Sequence, residues 1–175
     1  MRPIALDTNT YVGFKRGEPT CVELIRQARR LLISSTVLGE LLAGFACGDR
    51  EARNREELRR FLAVDAVQLI PVGLETADAY ALIYRSLRQQ GTPIPSNDLW
   101  IAASCLEHGA LLFSLDAHFE RVPGLRLVRS WVQLSMKTAG CHGARTSGWE
   151  IEAPAAPGGN SQQPQTGSRK PNSQG

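Results

Sequence analysis

The chain has 175 residues, 42% hydrophobic and 21% charged, with a formal net charge of +3. That length suits one domain with a sizeable core, and the composition is that of an ordinary globular protein. No run approaches the ~20 apolar residues of a membrane span, and Cys21, Cys47, Cys105 and Cys141 form no CxxC pair and share no zinc spacing with His108, His118 or His142.

Residues 2–6 read as a short buried strand that stops at Asp7, too early for a signal peptide, so the expected compartment is the cytoplasm. Thr8 to Phe14 reads as a helical turn capped by Thr8 and stopped near Gly17. Thr20 and Glu23 have capping-box spacing, which predicts a helix over 21–30. Leu31-Leu32-Ile33-Ser34 is the second strand, and Ser35 or Thr36 is placed to cap an apolar helix that carries Glu40 and ends before Gly48. Asp49 is placed to cap an Arg-rich helix running to about Ala63. Its mixed charges suit a solvated face better than a phosphate contact.

Val67 to Val72 is the third strand. Residues 75–90 predict an amphipathic helix with Ala77, Tyr80, Ala81, Tyr84 and Leu87 on its core face, stopped by Gly91. The Thr92-Pro93-Ile94-Pro95 loop cannot be helical, and Ser96 is placed to cap the nearly all-apolar helix that follows, Asn97 to His108. Residues 110–115 are the fourth strand and Leu125 to Val128 the last. Strands alternate with helices, so the fold class is α/β with a parallel sheet. Beyond about Met136 apolar periodicity ends. Residues 1–136 therefore read as one domain, and 137–175 as a disordered polar tail.

Four carboxylates stand out. Asp7 and Asp116 each end an apolar strand, Asp98 lies in the first turn of a buried helix, and Glu40 interrupts an apolar helix. Open parallel sheets bind ligands outside the carboxyl ends of their strands. Each acid alone has an ordinary explanation, as a cap, a first-turn acid or a solvent-facing residue. Together at one sheet edge they would repel one another without a cation. Oxygen ligands point to a hard divalent ion, Mg²⁺ or Mn²⁺, and to metal-assisted phosphodiester hydrolysis. Asp7 and Asp98 are expected to hold the ion, with Glu40 and Asp116 binding through water or completing a second site. Asn9 and Ser114 are expected to support a carboxylate or a metal-bound water. Gly39, beside Glu40, leaves room for packing or for a substrate. His118 reads as a surface residue more readily than as a proton shuttle. With four acids set aside, residues 1–136 retain 16 basic against 11 acidic side chains, compatible with an anionic polymer as substrate.

The ordered set Leu6-Asp7-Thr8-Asn9, Glu40, Pro95-Ser96-Asn97-Asp98-Leu99-Trp100-Ile101-Ala102-Ala103 and Phe113-Ser114-Leu115-Asp116 with Phe119 resembles the PIN-domain nucleases. The order and spacing look most like the VapC-type toxins of bacterial toxin–antitoxin modules, over roughly residues 3–132. Ser114 stands where that family more often has Thr, and the hydroxyl is kept. The resemblance implies a three-layer α/β/α fold with a five-stranded parallel sheet. It also implies Mg²⁺- or Mn²⁺-dependent endoribonuclease activity, homodimerisation and inhibition by a cognate antitoxin. Two rivals are a housekeeping RNA-processing nuclease of the same fold and a catalytically silent RNA- or protein-binding module. A haloacid-dehalogenase-type phosphatase would want Asp-x-Asp where Asn9 stands, and a response-regulator receiver an Asp where Gly73 follows the third strand.

Overall fold

A computed structural model describes residues 2–130 together with Val132, so the expected boundary at 136 and the tail over 137–175 lie outside the described residues. Five parallel strands form one sheet: β1 (Ile4–Leu6), β2 (Leu31–Ser34), β3 (Val67–Ile70), β4 (Leu111–Phe113) and β5 (Arg126–Val128), in the order β3-β2-β1-β4-β5. The register pairs Ile4 with both Leu31 and Leu111, and Leu6 and Val128 with Phe113. All residues of β1, β2 and β4 are buried, as central parallel strands covered on both faces must be. The edge strands β3 and β5 expose part of their length, and β3 ends two residues earlier than its apolar run. The chain leaves β1 toward β2 on one side, while β4 returns on the other. That reversal opens a crevice at the carboxyl ends of β1 and β4, where open α/β sheets place their ligands.

Among the described residues six helices complete the α/β/α layers: α1 (Thr8–Lys15), α2 (Pro19–Gln27), α3 (Ser35–Ala46), α4 (Glu51–Leu62), α5 (Leu74–Gln89) and α6 (Ser96–Glu107). A short 3-10 helix, Ala117–Arg121, follows β4. Several caps differ from expectation. Asp7, not Thr8, caps α1, and Ser34, not Ser35 or Thr36, caps α3 by accepting from the Val37 N–H at 3.3 Å. Ser34 is the last residue of β2 and Asp7 directly follows β1, so each helix starts a residue early. The Thr20–Glu23 capping box does not form. Pro19, with φ preset for a first helical position, starts α2 instead, and the helix stops at Gln27 because the chain must extend into β2. Asp49 does not cap α4, and Ser96 lies inside α6 behind Pro95 rather than capping it. The arginines of α4 pair within the helix, Arg53 with Glu57, Arg55 with Glu51, and Arg59 and Arg60 with Glu56. That is the solvated face the mixed charge predicts.

Of the expected core face of α5, Leu87 is buried and Ala77 and Tyr80 are partly buried, but Ala81 and Tyr84 are exposed, so the face is rotated in part. Thr76, Ile83 and Leu87 are buried against α6, and Tyr80 stacks on Trp100 with ring centroids 4.2 Å apart. Leu74, Ala81 and Tyr84 are exposed, leaving an apolar stripe that shares the helical spacing but not the core. Gly109 (φ 58°) makes the left-handed turn from α6 into β4, a conformation that favours glycine. Cys21, Cys47 and Cys105 are free thiols. No helix among the described residues is long and apolar enough to cross a membrane.

Candidate active site

Two adjacent strands deliver two of the four acids. Asp7 leaves β1 in extended conformation and is 3% exposed. One of its carboxylate oxygens accepts from the Thr10 N–H at 2.7 Å and the other from the Ser114 hydroxyl at 2.5 Å. The Thr10 hydroxyl lies 2.9 Å from the Asp7 carbonyl and 3.2 Å from that of Phe113, tying the end of β1 to the end of β4. Ser114, fully buried, also accepts from the Asp116 N–H at 3.0 Å. A single hydroxyl thus fixes one acid by its side chain and another by its backbone. Asn9 is exposed and is not among the partners of Asp7 in the described residues.

The other two acids arrive on helices. Asp98 is third in α6, one place deeper than expected but still in the first turn, where the helix dipole favours negative charge. The buried Leu99, Ile101, Ala102 and Ala103 hold that helix in place. Glu40, on α3, accepts from the Thr8 hydroxyl and from the Asn97 side-chain amide at 2.7 Å. These bonds fix it between α1 and α6. A Cβ added at Gly39 would meet nothing within 4 Å, so the glycine serves no close packing and leaves open space beside Glu40.

His118 joins this group. Its Nδ1 lies 3.3 Å from Asp98 Oδ2 and 3.3 Å from Asp116 Oδ1, while its backbone N–H donates to that same Asp116 oxygen at 2.8 Å. It is half-exposed, but it faces the carboxylates rather than standing apart in a loop. Thr8, Thr10, Asn97 and His118 are the site residues that sequence reasoning missed or undervalued. The only local signal was that each lies within three positions of a flagged acid.

The electrostatics carry the mark of crowded acids. Burial pushes the Asp7 carboxyl above its ordinary value; hydrogen bonds from Ser114 and Thr10 pull it down, and the charge of Asp116 raises it again. Burial likewise raises Asp98, the His118 hydrogen bond lowers it, and the charges of Asp116 and Glu40 raise it. Asp116 therefore acts on both Asp7 and Asp98, and Glu40 on Asp98. Asp98, Asp116 and His118 each offer a ligand atom within 4.8 Å of the others. A donor set of carboxylates and one imidazole, with raised carboxyl pKa values, fits a divalent cation, which would relieve the repulsion.

Ser114 is the simplest link to test. Ser114→Ala would leave a buried Asp7 oxygen and the Asp116 N–H without their partner, costing about 1–3 kcal/mol by the usual price of an unsatisfied buried group. Ser114→Thr keeps the hydroxyl and is expected to keep most of that stability. Urea unfolding of the two variants beside the wild type checks this, and equal losses in both would show that packing, not the hydroxyl, matters at this position.

The PIN domain family matches residues 4–125. Ribonuclease VapC1 of Haemophilus influenzae (strain R2866) is 30% identical over 128 residues, covering 69% of this chain and 92% of that protein. Ribonuclease VapC1 of Rickettsia felis is 28% identical over 130 residues, covering 71% of this chain and 94% of its own. The crystal structure of VapBC2 from Rickettsia felis bound to a DNA fragment from its promoter contains a chain of the same fold. It has a TM-score of 0.64 and 28% identity, over 72% of this chain and 97% of that one. The strand order, the acids at the carboxyl ends of β1 and β4 and this match over most of the described residues lead to one conclusion: the chain belongs to the PIN-domain family and, within it, to the VapC ribonucleases of toxin–antitoxin systems.

Proposed function

We propose that this ribonuclease cleaves RNA with Mg²⁺ or Mn²⁺ held by Asp7, Asp98 and Asp116, and that a cognate antitoxin restrains it. The supporting observation is the coupling of these acids: Ser114 bonds to both Asp7 and Asp116, and Asp116 meets Asp98 through His118. The bound ion would supply a water of lowered pKa and charge stabilisation at the phosphate. Asp7 is buried and Asp98 is less so, and the charge of Asp116 acts on both. Asp116 thereby moves from the water-mediated role expected of it into the ligand set. Glu40, gripped by Thr8 and Asn97, orients water at the rim, and the open space beside Gly39 gives the RNA backbone a path to it. An RNA substrate supports the cytoplasm as the protein's compartment. Purified protein is expected to cut a structured RNA pool with Mg²⁺ or Mn²⁺ and to stop in EDTA. Cleavage that persists in EDTA would end the metal-dependent reading.

An antitoxin as partner is supported by likeness to a chain solved in a VapBC complex. A homodimer is supported by the exposed stripe Leu74, Ala81 and Tyr84 on α5, which a second copy would cover. Ala81→Arg puts a charge on that stripe at an exposed helical position, where monomer stability should change by no more than about 0.5 kcal/mol. The expected result is a halved mass in sedimentation equilibrium with unchanged helix content. A dimer that tolerates the arginine would move the interface elsewhere.

A further inference from the structure

We infer that His118 is a nitrogen ligand of the bound ion and biases this site toward Mn²⁺ over Mg²⁺. The inference rests on the carboxylate metal site proposed above and adds a residue to it. In the described structure Nδ1 of His118 lies 3.3 Å from Asp98 Oδ2 and 3.3 Å from Asp116 Oδ1. A metal–donor distance of about 2.1 Å puts neighbouring octahedral donors about 3.0 Å apart, so Nδ1 stands near that spacing from both carboxylates, and all three donors lie within 4.8 Å of one another. The backbone also aims the ring. The His118 N–H donates to Asp116 Oδ1 at 2.8 Å, and the Asp116 N–H to Ser114 at 3.0 Å, so the short 3-10 helix that begins at Ala117 holds histidine and aspartate as a unit.

A surface histidine with no role would have no reason to sit equidistant from two acids on different elements. Hydrogen bonding alone would satisfy one of those acids. Without an ion Nδ1–H donates toward Asp98, yet the same nitrogen faces Asp116 at equal distance, where an ion between the two acids would meet it. On binding the ion, Nδ1 presents its lone pair and Nε2 carries the N–H, the neutral tautomer that metal-ligating histidines use. An imidazole changes ion preference in a way a fourth carboxylate would not. Mg²⁺ favours oxygen donors and retained water, whereas Mn²⁺, although also at home among oxygen ligands, accepts an imidazole nitrogen more readily than Mg²⁺ does.

The test uses the full chain with Mn²⁺ and Mg²⁺ as probes, comparing wild type, His118→Ala and Asp98→Asn. Electron spin-echo spectroscopy of bound Mn²⁺ is expected to show ¹⁴N coupling in the wild type and none in His118→Ala. Calorimetry is expected to show Mn²⁺ affinity falling at least about tenfold in His118→Ala, the low end of what even outer partners of a metal site are worth, with a smaller change for Mg²⁺. Bound Mn²⁺ without ¹⁴N coupling in the wild type overturns the proposal without requiring any variant to fold. Equal loss for both ions in His118→Ala also overturns it and leaves the carboxylate site standing. Undiminished Mn²⁺ binding by Asp98→Asn would instead remove the carboxylate site itself, and this inference with it.

Discussion

Asp98→Asn is expected to lose RNA cleavage by about a hundred- to a thousandfold, the scale of removing one well-placed electrostatic group from a transition state, while melting at the same temperature as the wild type or higher without metal. The two halves of this result have a single cause. Asp98 is held above its ordinary carboxylate value chiefly by burial, and further by the charges of Asp116 and Glu40, against the pull of His118. Near neutral pH its charge is therefore a net liability to the metal-free fold. Asn removes the charge and keeps an oxygen that His118 Nδ1–H can still reach. The opposing loss, a favourable first-turn acid in α6, is worth only about 0.3–1 kcal/mol and is screened by salt. A first-turn acid kept for helix stability alone would behave the opposite way, melting lower on substitution and leaving cleavage intact. Ribonuclease assays and metal-free thermal melts on one preparation separate the two.

Much of this site was legible because the sheet places it. Asp7 and Asp116 each follow an apolar run, and a run that ends on an acid marks the carboxyl end of a parallel strand. The partners were not legible, because they are made by the fold and not by local sequence. Thr8 reaches Glu40 across 32 positions, Asn97 reaches it across 57, and His118 meets Asp98 across 20. A histidine two residues past a strand looks like loop until the helix that brings Asp98 is in place. Periodicity misjudged α5 for a related reason. Ala77, Ala81 and Tyr84 keep helical spacing with Leu74, but the buried residues are Thr76, Ile83 and, of the expected set, Leu87. An apolar stripe at helical spacing therefore does not by itself mark the face that packs on the rest of the chain. The caps slipped by one where Asp7, directly after β1, and Ser34, at the end of β2, also capped the next helix.

Removing charge at Asp7 should reverse sign with metal, and pH should control by how much. Asp7, like Asp98, titrates above its ordinary value of 3.8, first because it is buried. A raised carboxyl binds its proton more tightly folded than unfolded. Its contribution to stability is therefore present below the unfolded value and lost as pH rises through the folded one. Other groups run the opposite way: Glu57, lowered by its bonds to Lys15 and Arg53 against its own partial burial, stabilises above its unfolded value and loses that as pH falls. Total stability against pH thus mixes both signs, and the difference between wild type and Asp7→Asn isolates the acid. Asn keeps the cap on α1, since Asn and Asp serve equally well there. Without metal, Asp7→Asn should gain on the wild type as pH rises above the ordinary value of 3.8, and stop gaining once pH has passed the raised folded value. With Mn²⁺ at about a hundredfold over its dissociation constant, binding adds about 2.7 kcal/mol to the wild type alone. At about 2–4 °C per kcal/mol for a chain of this size, the wild-type melt should rise by roughly 5–10 °C near neutral pH. Toward about pH 4 protons compete for the same oxygens, so that rise should shrink. If Mn²⁺ raised wild type and Asp7→Asn equally at every pH, the ion would be binding somewhere other than the crevice between β1 and β4.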